Sequence, residues 1–276
     1  MSDSSIRGIV TSLCAACTLL TAMPAHADLQ KIRQSGVLKV AVYNDLAPFS
    51  VKGEGIDIDL AAALSKKLGL RLALLPFDAG ENLNDDLRNM VWKGHYLGYG
   101  PADVLMHVPV DRRLMDGNDK VQIFAPYHRE TVRLVRSART VPDFNGLDAL
   151  AGKKVGVEKI SIGAVLLLGE QGGKYRDDVK IYPSAIEALE KLEAGELDAV
   201  LANQSDIESV FKGDPAFPLH EVSFQRLPRH GWAVGMAVKK GELELAKLLQ
   251  AGMNELAASG ELAGIFAKYG VRAVKP

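Results

Sequence analysis

The stretch Asn89–Met115, NMVWKGHYLGYGPADVLMHVPVDRRLM, holds one of the chain's two tryptophans, two of its six histidines, two tyrosines and the pair Arg112 and Arg113. Adjacent guanidinium groups after an apolar run offer a fork for a carboxylate; the alternative is a solvated pair beyond a strand. Phe49, Trp92, Tyr96, Tyr99 and Tyr127 could line a cleft or form a contact patch, because aromatic and arginine side chains dominate binding energy at interfaces. At least half of these aromatics are expected in the core. His95, His107 and His128 show no metal-ligand spacing and read as structural. Asp116, Asn118 and Asp119 around Gly117 lack the closing Glu of a calcium loop and read as a turn. No nucleophile elbow, P-loop or dinucleotide fingerprint is present. For an enzyme, a cleft carboxylate such as Asp45 or Glu158 would be the candidate acid or base, and nothing in the sequence selects one. No catalytic residue, metal or cofactor is expected.

These side chains need a frame, and the apolar patterning supplies an α/β one. Val37–Val42 and Leu70–Leu75 are continuous apolar runs that suit buried parallel strands. Between them Ile56, Leu60, Leu64 and Leu68 recur every fourth residue, giving a helix with one apolar face that Gly69 stops. Asp103–Val108 is a further strand after the breaks at Gly98, Gly100 and Pro101. In open α/β sheets ligands sit beyond strand ends, so the polar loops after these strands are the places to look. A second half repeats the pattern with strands at 155–157 and 198–202. Its helices open at Ser184-Ala-Ile-Glu187 and Ser205-Asp-Ile-Glu208, both read as capping boxes. Trp232–Lys239 is a strand and 242–259 an amphipathic helix.

Compartment and class follow from composition. Arg7, the apolar run to Met23 and Ala25-His26-Ala27 have the form of a secretory signal cleaved after Ala27. Both cysteines, Cys14 and Cys17, lie inside that segment, so residues 28–276 can form no disulfide and no thiolate site. The net charge of −1 gives no basic face for nucleic acid. No other apolar run is long enough to span a membrane. The expectation is an exported α/β protein.

The order of the motifs resembles the family 3, amino-acid-type solute-binding proteins of the periplasm. The likeness rests on Gly36-Val-Leu-Lys-Val40, Pro48-Phe49, Gly55-Ile-Asp57-Ile-Asp59-Leu60 and Phe124-Ala-Pro126-Tyr127. It continues through Leu150-Ala-Gly152-Lys-Lys-Val-Gly156, Gly195-Glu-Leu-Asp198 and Lys268-Tyr269-Gly270. The resemblance implies a clamshell of two α/β lobes joined by two crossover strands: residues 28–133 with 228–276, and residues 134–227. The stretch Val91–Arg112 further resembles the J proteins that accompany pyrroloquinoline-quinone methanol dehydrogenases. That likeness implies a non-enzymatic accessory factor binding the quinoprotein dehydrogenase, and its c-type cytochrome as a further partner, with Trp92, Tyr96, Tyr99 and Arg112 as contacts. The alternatives are a transporter's binding protein for a small polar or carboxylate ligand, and a dehydratase-like enzyme on the same fold.

By the same resemblance Phe49, Arg112, Arg113, Tyr127, Ser161 and Asn203 are the cleft positions. Two depart from the amino-acid-binding pattern. Val157 is followed by Glu158-Lys159-Ile160-Ser161 rather than a Gly-Thr or Ser-Thr pair, and Asn203 stands where an ammonium-pairing Asp belongs. Losing that charge-assisted contact would weaken an amino acid by roughly 1.5–3 kcal/mol.

Overall fold

The structure is a computed structural model that describes residues 25–224 and 231–276. Most of the expected export signal and the start of the expected second crossing lie outside those residues.

The chain opens with α1 (Ala25–Ser35), β1 (Val37–Tyr43), a hairpin of β2 (Asp45–Leu46) and β3 (Ser50–Val51), α2 (Ile56–Lys67) and β4 (Arg71–Phe77). It continues with α3 (Leu83–Leu87), β5 (Val104–Pro109), α4 (Arg112–Asp116) and β6 (Val121–Glu130). Next come β7 (Val132–Arg136), β8 (Val155–Glu158), α5 (Ile162–Gly169), β9 (Val179–Tyr182) and α6 (Ala185–Glu193). The order then runs β10 (Ala199–Asn203), α7 (Gln204–Phe211), β11 (Leu219–Glu221), β12 (Trp232–Lys239), α8 (Leu243–Ser259) and α9 (Glu261–Lys268).

Two five-stranded mixed sheets result. One has the order β4-β1-β5-β12-β6, the other β11-β7-β10-β8-β9. Strand β1 pairs in parallel with β4, as the apolar runs predict, and with β5, while β12 pairs antiparallel with β5 and β6. Successive strand residues face opposite sides of a sheet, so each sheet carries two cores. Val40 and Val42 pack with Leu60, Leu64, Leu249 and Phe266, while Ala41 faces Leu87, Met90 and Leu105. In the second lobe Leu134 and Leu201 face Leu167, while Val135 and Val200 face Leu189.

Three local features set the seam between the lobes. The first is the entry to α2, which has no side-chain cap. Its orphan amides, which must find acceptors, are satisfied by the hairpin: Ile56 N–H donates to Pro48 O and Asp57 N–H to Phe49 O. Gly55 has φ 138°, and a Cβ there would sit 2.2 Å from Phe49 O, so only glycine fits. The second is the crossing. Chain passes from β6 to β7 at Thr131, and Gly231 (φ 65°) lies against it, where a Cβ would fall 1.8 Å from the Glu130 carbonyl oxygen. The third is a shared irregularity: β12 shifts register against both β5 and β6, and His107 and Ala125 beside the shift have φ of 60° and 50°. Such bulges re-aim side chains near sites.

One expected capping box forms its serine half and the other does not form. The Ser184 side chain accepts from Glu187 N–H at the start of α6. The second box is corrected: α7 starts at Gln204, one residue earlier, so Ser205 falls inside its first turn, and its hydroxyl donates to Glu130 instead.

Candidate functional site: the cavity between the lobes

A cavity of about 590 Å³ lies between the two sheets, within the size range of small-molecule sites. The first lobe contributes the β1–β3 loops from Asn44 to Lys52, His107, Glu130 and Trp232. Glu158, Ser184, Ala185, Ile186, Asn203 and Asp206 come from the second lobe. The second-lobe residues all sit where a strand ends or a helix begins, as expected for an α/β sheet edge.

The first-lobe wall is pinned from behind. Phe49 is 2% exposed, with its ring 4.2 Å from that of His107 and 5.8 Å from that of His128. His107 Nδ1 lies 3.3 Å from Asp57 Oδ2 but makes no hydrogen bond there. Asp57 is buried and accepts from the Tyr127 hydroxyl at 2.6 Å; burial, the Asp57 charge and that hydrogen bond push the Tyr127 hydroxyl well above its usual range.

The floor is acidic. Glu130 is buried and accepts from Thr131 N–H at 2.9 Å and from the Ser205 hydroxyl. His128 Nε2 stands 3.8 Å from Glu130 Oε2. The distance suggests an ion pair, but burial lowers the imidazole pKa to about 4, so the ring is neutral at pH 7. Its Nδ1 accepts from Val274 N–H, which places the proton on Nε2. Burial raises Glu130 despite its hydrogen bonds. Asp206 is pushed well up by burial and by the Glu130 and Glu158 charges, against hydrogen bonds from Asn203. Glu158 is raised by burial and by Asp45. Like charges facing one low-dielectric space have this effect.

The expected cleft residues divide. Phe49 and Asn203 line the cavity. Tyr127 is entirely core, behind the wall, because its hydroxyl has a buried carboxylate partner. Ser161 caps α5, accepting from Ala164 N–H and donating to Glu158 O, and is not in the lining. The carboxylate clamp expected of Arg112 and Arg113 does not form. Asp111 accepts from Leu114 N–H and starts α4, so both arginines ride a short surface helix. The Arg112 side chain is 92% exposed and pairs with Asp116 at 3.6 Å. Of the expected contact residues, Trp92 and Tyr99 pack against the core beneath the sheet, and Tyr99 stacks on His95 at 4.3 Å. Tyr96, at 88%, and Arg112 are the strongly exposed ones.

Sequence reasoning missed Trp232, Glu130 and Asp206 as cavity residues, and read His107 as structural only. Asp206 had a signal: it lies three residues after Asn203, one turn of α7 from the place where an ammonium-pairing Asp was sought.

The fold is that of the type II periplasmic binding proteins. Among solved structures, an ancestral cationic amino acid solute-binding protein aligns with a TM-score of 0.70 at 20% identity, covering 88% of this chain and 99% of that one. An amino acid transporter substrate-binding protein from Streptococcus pneumoniae, bound to L-arginine, gives 0.63 at 20% identity over 89% and 99%. In sequence, a probable histidine-binding protein of Neisseria gonorrhoeae is 29% identical over 248 residues, 84% of this chain and 82% of that protein. A cyclohexadienyl dehydratase of Pseudomonas aeruginosa is 37% identical, but over 81 residues, 26% of this chain and 30% of that enzyme. No family model matches the chain.

Proposed function

We propose that the protein is an exported, periplasmic solute-binding component of a transport system, and that its solute sits between the lobes. The observation that carries this reading is the cavity of about 590 Å³ lined from both sheets, since a ligand touching both lobes favours their closed arrangement. The nature of the full-length relatives supports it, and binding rather than catalysis is the reading. Among the described residues no helix is long and apolar enough to cross a membrane, which fits a protein that works beside a transporter. The test is thermal melting of residues 28–276 against cationic, neutral and anionic small solutes, followed by small-angle scattering. A hit should raise the melting temperature and shrink the radius of gyration. If no solute does either, the reading fails.

A second reading, docking onto a quinoprotein alcohol dehydrogenase, has one observation in its favour: Tyr96 and Leu97 project from their loop at 88% and 68% exposure. It is supported less well, because Trp92 and Tyr99, which were to share the contact, are half-buried in the core. Pull-down of such a dehydrogenase by the protein, lost in Tyr96→Ala, is the result that would favour it.

A further inference from the structure

The chemistry of the ligand follows from the charges that face the cavity, given the reading of that cavity as the ligand site. Four carboxylates line it: Asp45, Glu130, Glu158 and Asp206. Against them, among the described residues, stands one Lys or Arg, Lys52, which is exposed on the hairpin. The hydrogen-bond partners of Glu130 are a hydroxyl and backbone amides, and those of Asp206 are groups of Asn203. Among the described residues no lysine or arginine forms an ion pair with Glu130, Glu158 or Asp206. Buried carboxylates without a cation are expensive, and four around one space repel one another. A positive ligand relieves both terms. The half-buried Trp232 ring offers it a face as well.

The same lining has little to hold a carboxylate. Among the described residues no arginine faces the cavity. The start of α7 already carries Asp206, which offsets its dipole. The start of α6 has Ser184 as its cap and Glu187 in its first turn, leaving the amides of Ala185 and Ile186 for a neutral acceptor. A helix end amounts to about half a positive charge, against four carboxylates. A metal ion is a poor fit too, since among the described residues no three His, Cys, Asp or Glu are placed to hold one.

We infer that the cavity takes an organic cation without a carboxylate, an amine, guanidine or quaternary ammonium, rather than an amino acid. The ammonium or guanidinium sits against Glu158 and Asp206 on the second-lobe wall, with its carbon chain along Phe49 and Trp232. Binding is linked to protons. Burial raises Glu130, and burial with acidic neighbours raises Glu158 and Asp206, so a cation beside them favours their ionised forms and its affinity rises with pH. Among the described residues the other charged or titratable groups around the acids include Asp45, Lys52 and His107 in the lining and, behind it, His128, Asp57, Arg133, Tyr182 and Glu208.

Calorimetry on pairs that differ by the α-carboxylate tests this: agmatine against arginine, histamine against histidine, cadaverine against lysine, with glutamine, glucose and succinate as neutral and anionic arms. At least one amine should bind 10-fold or more tightly than its parent amino acid, and more weakly as pH is lowered. Glu158→Gln and Asp206→Asn should each weaken that amine at least 10-fold. If Asp206→Asn does not fold, Glu158→Gln, half-buried at a strand end, carries the test alone. A parent amino acid binding more tightly than its amine, or a neutral or anionic solute binding where no amine does, overturns the cation but leaves the solute-binding reading. No binding in any arm, with no compaction, removes both.

Discussion

The two walls of the cavity are built from different chemistry. The first-lobe wall carries Asp45, Lys52, His107 and Glu130, but its surface is built mainly from Leu46, Ala47, Phe49, Val51 and Trp232 on loops and strands braced by the core. The second-lobe wall presents Glu158, Ser184, Asn203 and Asp206 from strand ends and helix starts. One wall is held by packing, the other by hydrogen bonds and unfavourable charge. A packed wall gives shape and stability. A wall of raised carboxylates stores unfavourable energy that a ligand releases, so it is expected to trade stability for binding.

Substitutions separate the walls. Phe49→Ala should be the most damaging, because a ring 2% exposed leaves a void between α2, His107 and His128; the expected loss is about 3–5 kcal/mol in chemical denaturation. A loss below about 1 kcal/mol would mean the wall is not part of the core.

The pH response comes next in size and belongs to the seam itself. His128 has a folded pKa of about 4 against an ordinary 6.5. A depressed pKa means that the unfolded chain binds the proton first, so the contribution is present above pH 6.5 and is lost as pH falls towards 4. The shift is worth up to about 3 kcal/mol. Glu130 and Asp206 oppose it, since raised acids favour the folded state at low pH. Denaturation of His128→Gln, whose amide oxygen can still accept from Val274 N–H, should therefore show a shallower loss than the wild type between pH 6.5 and 4. Equal slopes would place the imidazole in water.

On the second-lobe wall the sign reverses. Asp206 is raised by burial and by its acidic neighbours, so folding disfavours its ionised form. Asp206→Asn should raise the melting temperature by roughly 2–4 °C, equivalent to about 1 kcal/mol, in scanning calorimetry without ligand. A lower melting temperature would show that the Asn203 hydrogen bonds outweigh the repulsion. The smallest effect belongs to a residue on neither wall: Tyr96→Ala, at 88% exposure, should leave stability within about 0.5 kcal/mol and solute binding unchanged.

Much of the scaffold was legible because local rules and tertiary packing agree. The apolar runs Val37–Val42 and Leu70–Leu75 became a parallel pair, the four-residue repeat from Ile56 became α2, and Ser184 caps α6 as its spacing requires. The site was less legible, because its walls join residues from Asn44 to Trp232 and no local pattern marks that meeting. Asp206 was absorbed into a capping box read one residue out of place. The aromatic stretch around Trp92 drew attention through its composition, yet most of it packs beneath the first sheet. Glycines and aromatics mark tight packing as readily as binding. Arg112 and Arg113 were misplaced because Asp111 turns the chain into a surface helix instead of leaving it at a strand end.

The two tryptophans make the central claim directly measurable, since Trp232 lines the cavity and Trp92 does not. Trp92→Phe leaves Trp232 as the sole indole. Titrating that protein with agmatine, histamine and cadaverine should give a saturable change in its fluorescence, with a midpoint matching calorimetry for whichever amine binds. A silent Trp232 while calorimetry reports tight binding would place the ligand outside the cavity and contradict the account.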